Sequence, residues 1–145
     1  MKPEDFATLA RVLEPVSSAR GLPNAFYTDP DRYEQEKKHL FATGWPAIGF
    51  GKDVPEPGDA KPVTFLGIPL LMVRDRDGAL RVFQNVCRHR GMILVDQPTK
   101  LKGVIRCPYH AWCYELDGAL RATPHVGGAG HNTHPDRKST RLNSS

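Results

Sequence analysis

The stretch CPYHAWCYELDGAL occupies residues 107–120. It puts Cys107, His110 and Cys113 within seven residues and ends on Asp117-Gly118, a strong signal for a tight β-hairpin. Thiols and an imidazole this close together point to a bound metal. The stretch alone does not say which of the three bind it. A second stretch, CRHRG at 87–91, resolves the question.

Together the two stretches spell Cys-x-His, seventeen intervening residues, then Cys-x-x-His, through Cys87, His89, Cys107 and His110. Each half supplies one thiol and one imidazole just past a strand-forming run, RVFQNV at 81–86 and GVIR at 103–106. Zinc fingers usually pair Cys with Cys and His with His, or use four cysteines. Alternating pairs suit two metal atoms, with Cys87 and Cys107 on one iron and His89 and His110 on the other. That is the Rieske ligation of a [2Fe–2S] cluster. A structural zinc site on the same four residues is the alternative.

Histidine in place of cysteine has an electronic consequence. An oxidised [2Fe–2S] core carries two positive charges. Four thiolates make the site doubly negative, whereas two thiolates and two neutral imidazoles leave it uncharged. The less negative site accepts an electron more readily. Rieske centres accordingly span about −150 to +300 mV, against about −400 mV for all-cysteine plant-type clusters.

The rest of the chain fits a globular protein built around such a site. With 145 residues and 25% charged side chains, it has the size and composition of one ordinary domain. The longest apolar run, LGIPLLMV at 66–73, is far short of the roughly 20 residues of a membrane span. MKPEDF at the start has no apolar segment behind its lysine, so a cytoplasmic location is expected. In that reducing compartment clustered Cys and His suggest metal binding or catalysis before disulfides. The net charge is +4, of which DRKSTRLNSS at 136–145 supplies +2. The remaining basic residues alternate with acids, as in EQEKKH and RDRDGALR, so neither nucleic acid nor membrane is expected as a partner.

Three segments are expected. Residues 1–44 are helical: a short amphipathic helix over 4–14, a loop over 17–23, and a second helix in TDPDRYEQEKKHLF. Thr28 or Asp29 caps the second helix, Pro30 fits its first turn, and Gly44 and Pro46 end it. Residues 45–135 are mainly antiparallel β. KPVTFLGIPLLMVRDRDGALRVFQNV reads as three strands with turns at Gly67–Pro69 and Asp75–Gly78. GVIRC, AWCYEL and ALRAT add three short strands, the last two joined by a two-residue Asp117-Gly118 turn. Residues 136–145 read as a disordered tail. RKSTRLNSS resembles a peptide translated from sequencing-adapter DNA, which implies that the natural chain continues beyond about Pro135.

CRHRG and CPYHAWCYELDGAL together resemble the Rieske domain of the large subunit of Rieske non-haem iron oxygenases, the ring-hydroxylating dioxygenases and related monooxygenases. LPNAFYTDPDRYEQEKKHLFATGW and VTFLGIPLLMVRDRDGALRVFQNVCRHRG are similar to that family's lead-in helix and early strands. The resemblance implies a Rieske-type antiparallel β-sandwich of short strands with two cluster-binding loops, preceded by a short helical segment. It implies Cys87, His89, Cys107 and His110 as cluster ligands. It also implies a reductase or ferredoxin as electron donor, a homotrimer, and a mononuclear non-haem Fe(II) that activates O₂ to hydroxylate a substrate. Two histidines and a carboxylate hold that iron in a domain downstream of this one. No catalytic residue is therefore expected here, only electron transfer. The family usually has glycine where Ala111 stands, and alanine asks for an ordinary backbone conformation there. Respiratory Rieske proteins fit less well, because they carry an extra cysteine in each loop. The corresponding positions here lie near Met92 and at Tyr109. A stand-alone Rieske ferredoxin is the second reading, and the helical segment of about 40 residues argues against it.

Several residues attract attention and read as bystanders. Cys113 is surplus to a four-ligand site. His125, His131 and His134 read as solvated loop histidines, and His39 as a surface residue. Arg88 and Arg90 flank His89, where they either orient the loop, attract an acidic electron donor or form exposed ion pairs. Trp112 packs over the cluster, fills the core, or both.

Overall fold

The computed structural model describes residues 9–132 and 140–143. The chain divides into two compact units, Met1–Pro46 and Ala47–Ser145.

Among its described residues the first unit holds short helices and turns. Of the helix expected over 4–14, residues 4–8 lie outside the described residues, and only Leu9 and Ala10 are helical. Residues 11–14 depart from the expectation: Val12 and Leu13 donate to the carbonyls of Leu9 and Ala10 at 3.0 and 3.2 Å, three residues back, as in turns. A short helix α1 spans Ala25–Thr28 and α2 spans Pro30–Glu36. Asp29, not Thr28, caps α2: its backbone is extended and its carboxylate accepts the Asp31 N–H at 2.9 Å. Pro30 stands at the first helical position, where its missing N–H costs nothing. A π-helical turn, Lys37–Phe41, continues α2 and ends before Gly44.

The second unit holds two antiparallel sheets. One has the order β3-β2-β1-β4, with β1 Asp59–Phe65, β2 Ile68–Arg74, β3 Leu80–Gln84 and β4 Thr99–Lys100. The other has the order β5-β6-β7, with β5 Ile105–Arg106, β6 Cys113–Tyr114 and β7 Leu120–Ala122. β4 was not expected; its two residues pair with Asp59 and Ala60 and carry no apolar signal. The first turn also lies earlier than expected. Phe65 pairs with Ile68, so the turn is Leu66-Gly67, and Pro69 belongs to β2 opposite Thr64. Both turn residues have positive φ, 52° and 81°, as the tightest hairpins require.

Leu71 and Val73 of β2, Phe83 of β3, Ile105 of β5, Tyr114 of β6 and Leu120 of β7 meet in one core. Each fully buried Val, Leu, Ile or Phe contributes roughly 1.5–3 kcal/mol. Gly118 has a second duty here beyond its φ of +89°. A Cβ on it would lie 2.7 Å from the Phe83 ring, so only glycine lets this turn approach the first sheet. The turn is longer than the two residues expected: Glu115 donates to the Ala119 carbonyl at 2.7 Å, and Tyr114 pairs with Leu120.

Thr140–Asn143 depart from the disordered tail expected over 136–145. Leu142 is 3% exposed and sits in the core. Its N–H donates to the Gly118 carbonyl at 2.9 Å, Leu120 donates to Thr140 at 3.0 Å, and Gln84 donates to Asn143 at 2.8 Å. The reason is that β3 and β7 each have an open edge, and an extended segment with one apolar side chain satisfies both. The rest of that tail lies outside the described residues. Among the described residues no helix is long and apolar enough to cross a membrane.

Candidate metal centre

Two loops at the ends of β3 and β5 have the same backbone plan. In the first, Cys87 donates its N–H to Met92 O at 2.8 Å, and Gly91 donates back to Cys87 O at 3.0 Å. In the second, Cys107 donates to Trp112 O at 2.8 Å, and Ala111 donates to Cys107 O at 3.1 Å. Each loop thus closes over four residues after its cysteine. In each, the closing residue is left-handed: Gly91 at φ +71° and Ala111 at φ +58°. This corrects the expectation of an ordinary conformation at Ala111. The loop plan imposes the left-handed turn, and the alanine bears a strain of about 1–2 kcal/mol that glycine avoids.

The matching loops bring the four expected side chains together. The rings of His89 and His110 meet edge to face, with centroids 4.7 Å apart. Cys87 and Cys107 are both buried, not joined in a disulfide, and close enough for their thiols to perturb each other. Burial pushes the Cys87 thiol above its ordinary range and the Cys107 thiol pushes it further, against the Tyr114 hydroxyl and the His89 N–H. A metal would supply the charge that ionises it. The His89 imidazolium is disfavoured, first by burial and then by His110 and Arg90, which favours the neutral ring, the form able to bind a metal.

One atom asks for a partner. Nδ1 of His110 is buried and has no hydrogen bond. Buried polar atoms are rarely left so, and a metal is one way to satisfy a ring nitrogen. The four side chains therefore fit a group with two imidazole-seeking and two thiolate-seeking positions. Among the described residues no three His, Cys, Asp or Glu side chains are grouped to hold one metal ion. A two-iron core asks for no such group, since each iron takes two protein ligands.

Two positioning residues escaped the sequence reading. Tyr114 is fully buried, its hydroxyl 3.3 Å from Cys87 Sγ and 3.0 Å from the Arg88 nitrogen, whose N–H it accepts. Burial and the neighbouring Cys87 push its own ionisation far upward, so it keeps its proton. Asn85, also buried, donates to Val95 O at 2.6 Å and accepts from the N–H groups of Leu94 and Val95 at 3.2 and 3.0 Å. It pins the chain that leaves the first loop. Nothing in the spacing of either residue marks it, because both act through partners distant in sequence.

The bystanders sort differently. Cys113 is half-buried and donates its thiol to Ala111 O at 3.2 Å. His125 and His131 are exposed and joined through backbone, N–H to carbonyl, at 2.9 Å; His134 lies outside the described residues. Arg88 and Arg90 are both exposed, and Arg88 donates to Asn143 Oδ1 at 2.8 Å. Trp112 is 5% exposed and lies flat against His89, so it serves both the core and the site.

Comparison with known proteins bears on this geometry. The family profile of the Rieske [2Fe-2S] domain matches residues 44–134. The carnitine monooxygenase oxygenase subunit of Acinetobacter pittii is 39% identical over 118 residues, covering 81% of this chain and 30% of that protein. The crystal structure of the quaternary ammonium Rieske monooxygenase CntA with gamma-butyrobetaine aligns at TM-score 0.71 and 34% identity, over 84% of this chain and 34% of that one. Naphthalene 1,2-dioxygenase from Rhodococcus sp. aligns at TM-score 0.69 and 31% identity, over 85% of this chain and 28% of that one. The chain thus spans about a third of the length of the oxygenases it matches. With a family match over more than half its residues and a mainly antiparallel β fold shared with these oxygenases, the chain belongs to the Rieske [2Fe-2S] domain family.

Proposed function

We propose that this chain is the electron-transfer domain of a Rieske oxygenase large subunit, with Cys87 and Cys107 holding one iron of a [2Fe–2S] cluster and His89 and His110 the other. The observation that carries the assignment is the meeting of two imidazoles 4.7 Å apart beside two buried thiols, with His110 Nδ1 left unsatisfied. When bound, such a cluster takes up and releases one electron at a time. The chain's own residues bind it, keep it dry and supply hydrogen-bond donors. The Tyr114 hydroxyl lies 3.3 Å from the Cys87 sulfur, where it would donate once that sulfur is a thiolate, and Trp112 closes the interior side of His89.

In the whole protein the electron comes from a reductase or ferredoxin. It goes on to a mononuclear iron, held outside this domain, that activates O₂ for substrate oxidation; the assembly is a homotrimer. Relatives such as the carnitine monooxygenase oxygenase subunit and the large oxygenase component of salicylate 5-hydroxylase favour this over a free ferredoxin. Substrate choice belongs to the catalytic domain. The carnitine monooxygenase subunit and the large component of salicylate 5-hydroxylase match this chain almost equally, at 39% and 37% identity.

Anaerobic reconstitution with iron and sulfide tests the assignment. A red-brown protein with two irons and two sulfides per chain is expected. A protein that stays colourless and takes up no sulfide, but binds one zinc when zinc is offered instead, would overturn it.

A further inference from the structure

The two imidazoles belong to a longer row of rings. Trp112 lies on His89 with centroids 4.7 Å apart and planes only 6° from parallel. His89 meets His110 edge to face, and His110 meets Tyr109 at 3.7 Å, tilted by 34°. The row runs from a buried indole to a 60% exposed phenol. Its inner end crosses between loops, because His89 belongs to the first and Trp112 to the second.

We infer that Trp112 is a positioning residue for His89, fixing the plane of a first-loop imidazole by a ring carried on the second loop. This rests on the assignment of His89 as a cluster ligand. Three features make the indole a rigid plate. It is buried in the core, its backbone carbonyl is bonded to Cys107 N–H, and the left-handed Ala111 just before it turns the chain inward. An imidazole bound through one nitrogen, and tethered otherwise only through Cβ, keeps some rotation about the metal–nitrogen bond. A parallel ring on one face blocks that rotation. The stack also favours an electron-poor imidazole on an electron-rich indole, which is the state metal binding creates. Tyr109, exposed at the far end, constrains His110 less.

The test uses the full chain with its cluster. Trp112→Met fills the space with a flexible side chain, and Trp112→Phe keeps a flat ring. The expected result is a reduced-state EPR spectrum with broadened lines in Trp112→Met. Its histidine nitrogen couplings, read by pulsed EPR, should also be altered, and cluster loss to a chelator should be several-fold faster. Trp112→Phe should restore narrow lines and slow loss. Wild-type lines and couplings in Trp112→Met, or a folded Trp112→Phe as disturbed as Trp112→Met, would overturn the role of Trp112. Should Trp112→Met yield no folded chain, Trp112→Phe decides alone: narrow lines support the stack and broad lines defeat it. A wild-type chain without histidine nitrogen couplings would instead defeat the ligand assignment.

Discussion

The hydroxyl of Tyr114 lies 3.3 Å from Cys87 Sγ and accepts the Arg88 N–H at 3.0 Å. With its oxygen already accepting, its proton is available for the sulfur. A thiolate accepts only, so the bond strengthens as negative charge builds on the reduced site. Tyr114→Phe should therefore lower the reduction potential. A differential of ~1 kcal/mol corresponds to roughly 40 mV for one electron. The same change leaves the Arg88 N–H unpaired and should cost about 1–3 kcal/mol of stability. Redox titration and denaturant unfolding read the two effects. An unchanged potential would mean that the hydroxyl does not donate to the sulfur.

Ala111 and Gly91 hold equivalent places in the two loops, at φ +58° and +71°. Ala111→Gly should stabilise the chain by about 1 kcal/mol, and Gly91→Ala should destabilise it by a similar amount, with the cluster spectrum unchanged in both. Space around Gly91 is open, so the cost there is conformational and not steric. Denaturant midpoints check this; a neutral Ala111→Gly would show that the loop relaxes around the alanine.

The ligand set predicts opposite outcomes for cysteines added and removed. His89→Cys or His110→Cys should lower the potential or lose the cluster, since a thiolate brings negative charge that a neutral imidazole does not. Cys113→Ser should leave the visible spectrum unaltered, because serine donates to Ala111 O as the thiol does. Loss of colour in Cys113→Ser would place Cys113 among the ligands.

Asp75 is buried where the β2–β3 hairpin closes. Its carboxylate accepts from Asp77 and Ala79 N–H at 3.0 and 2.8 Å and from Arg81 Nε at 2.8 Å. Burial opposes its ionisation, and Arg81 with the two N–H groups outweighs burial, so its acidity is raised and its pKa lowered. Asp75→Ala should cost about 2–3 kcal/mol, from two N–H groups left without partners. A carboxylate with a lowered folded-state pKa stabilises above its unfolded value of about 3.9, and that contribution fades as pH falls through the folded value. The advantage of wild type over Asp75→Asn should thus be full near neutrality and shrink in acid below about pH 4. An advantage that grew in acid would reverse the assignment.

Much of the proposed centre was legible because its candidate ligands come as local motifs. Cys87 and His89, and Cys107 and His110, each sit two or three residues apart, and the strands before them declare themselves by Val, Ile and Phe. The Asp117-Gly118 turn was visible for its backbone, but the approach of Phe83 that also requires Gly118 was not. Tyr114 and Asn85 were missed because their partners lie 27 and 10 residues away. β4 has two polar residues and exists only because β1 offers an edge. Ala111 misled because side-chain identity was taken to set its backbone, whereas the Cys107–Trp112 ladder sets it. Thr140–Asn143 carry the polar composition of a loose tail, and a single residue, Leu142, supplies the apolar contact that holds them.

The most direct test of the centre is pulsed EPR on the reduced, iron–sulfide-reconstituted chain, grown with nitrogen-15 histidine. Two coupled histidine nitrogens on one iron, together with a rhombic spectrum of the His-ligated type, are predicted, and His89→Ala and His110→Ala should each remove one or abolish the cluster. A spectrum without histidine nitrogens, or one that keeps both in either variant, would contradict the assignment of Cys87, His89, Cys107 and His110.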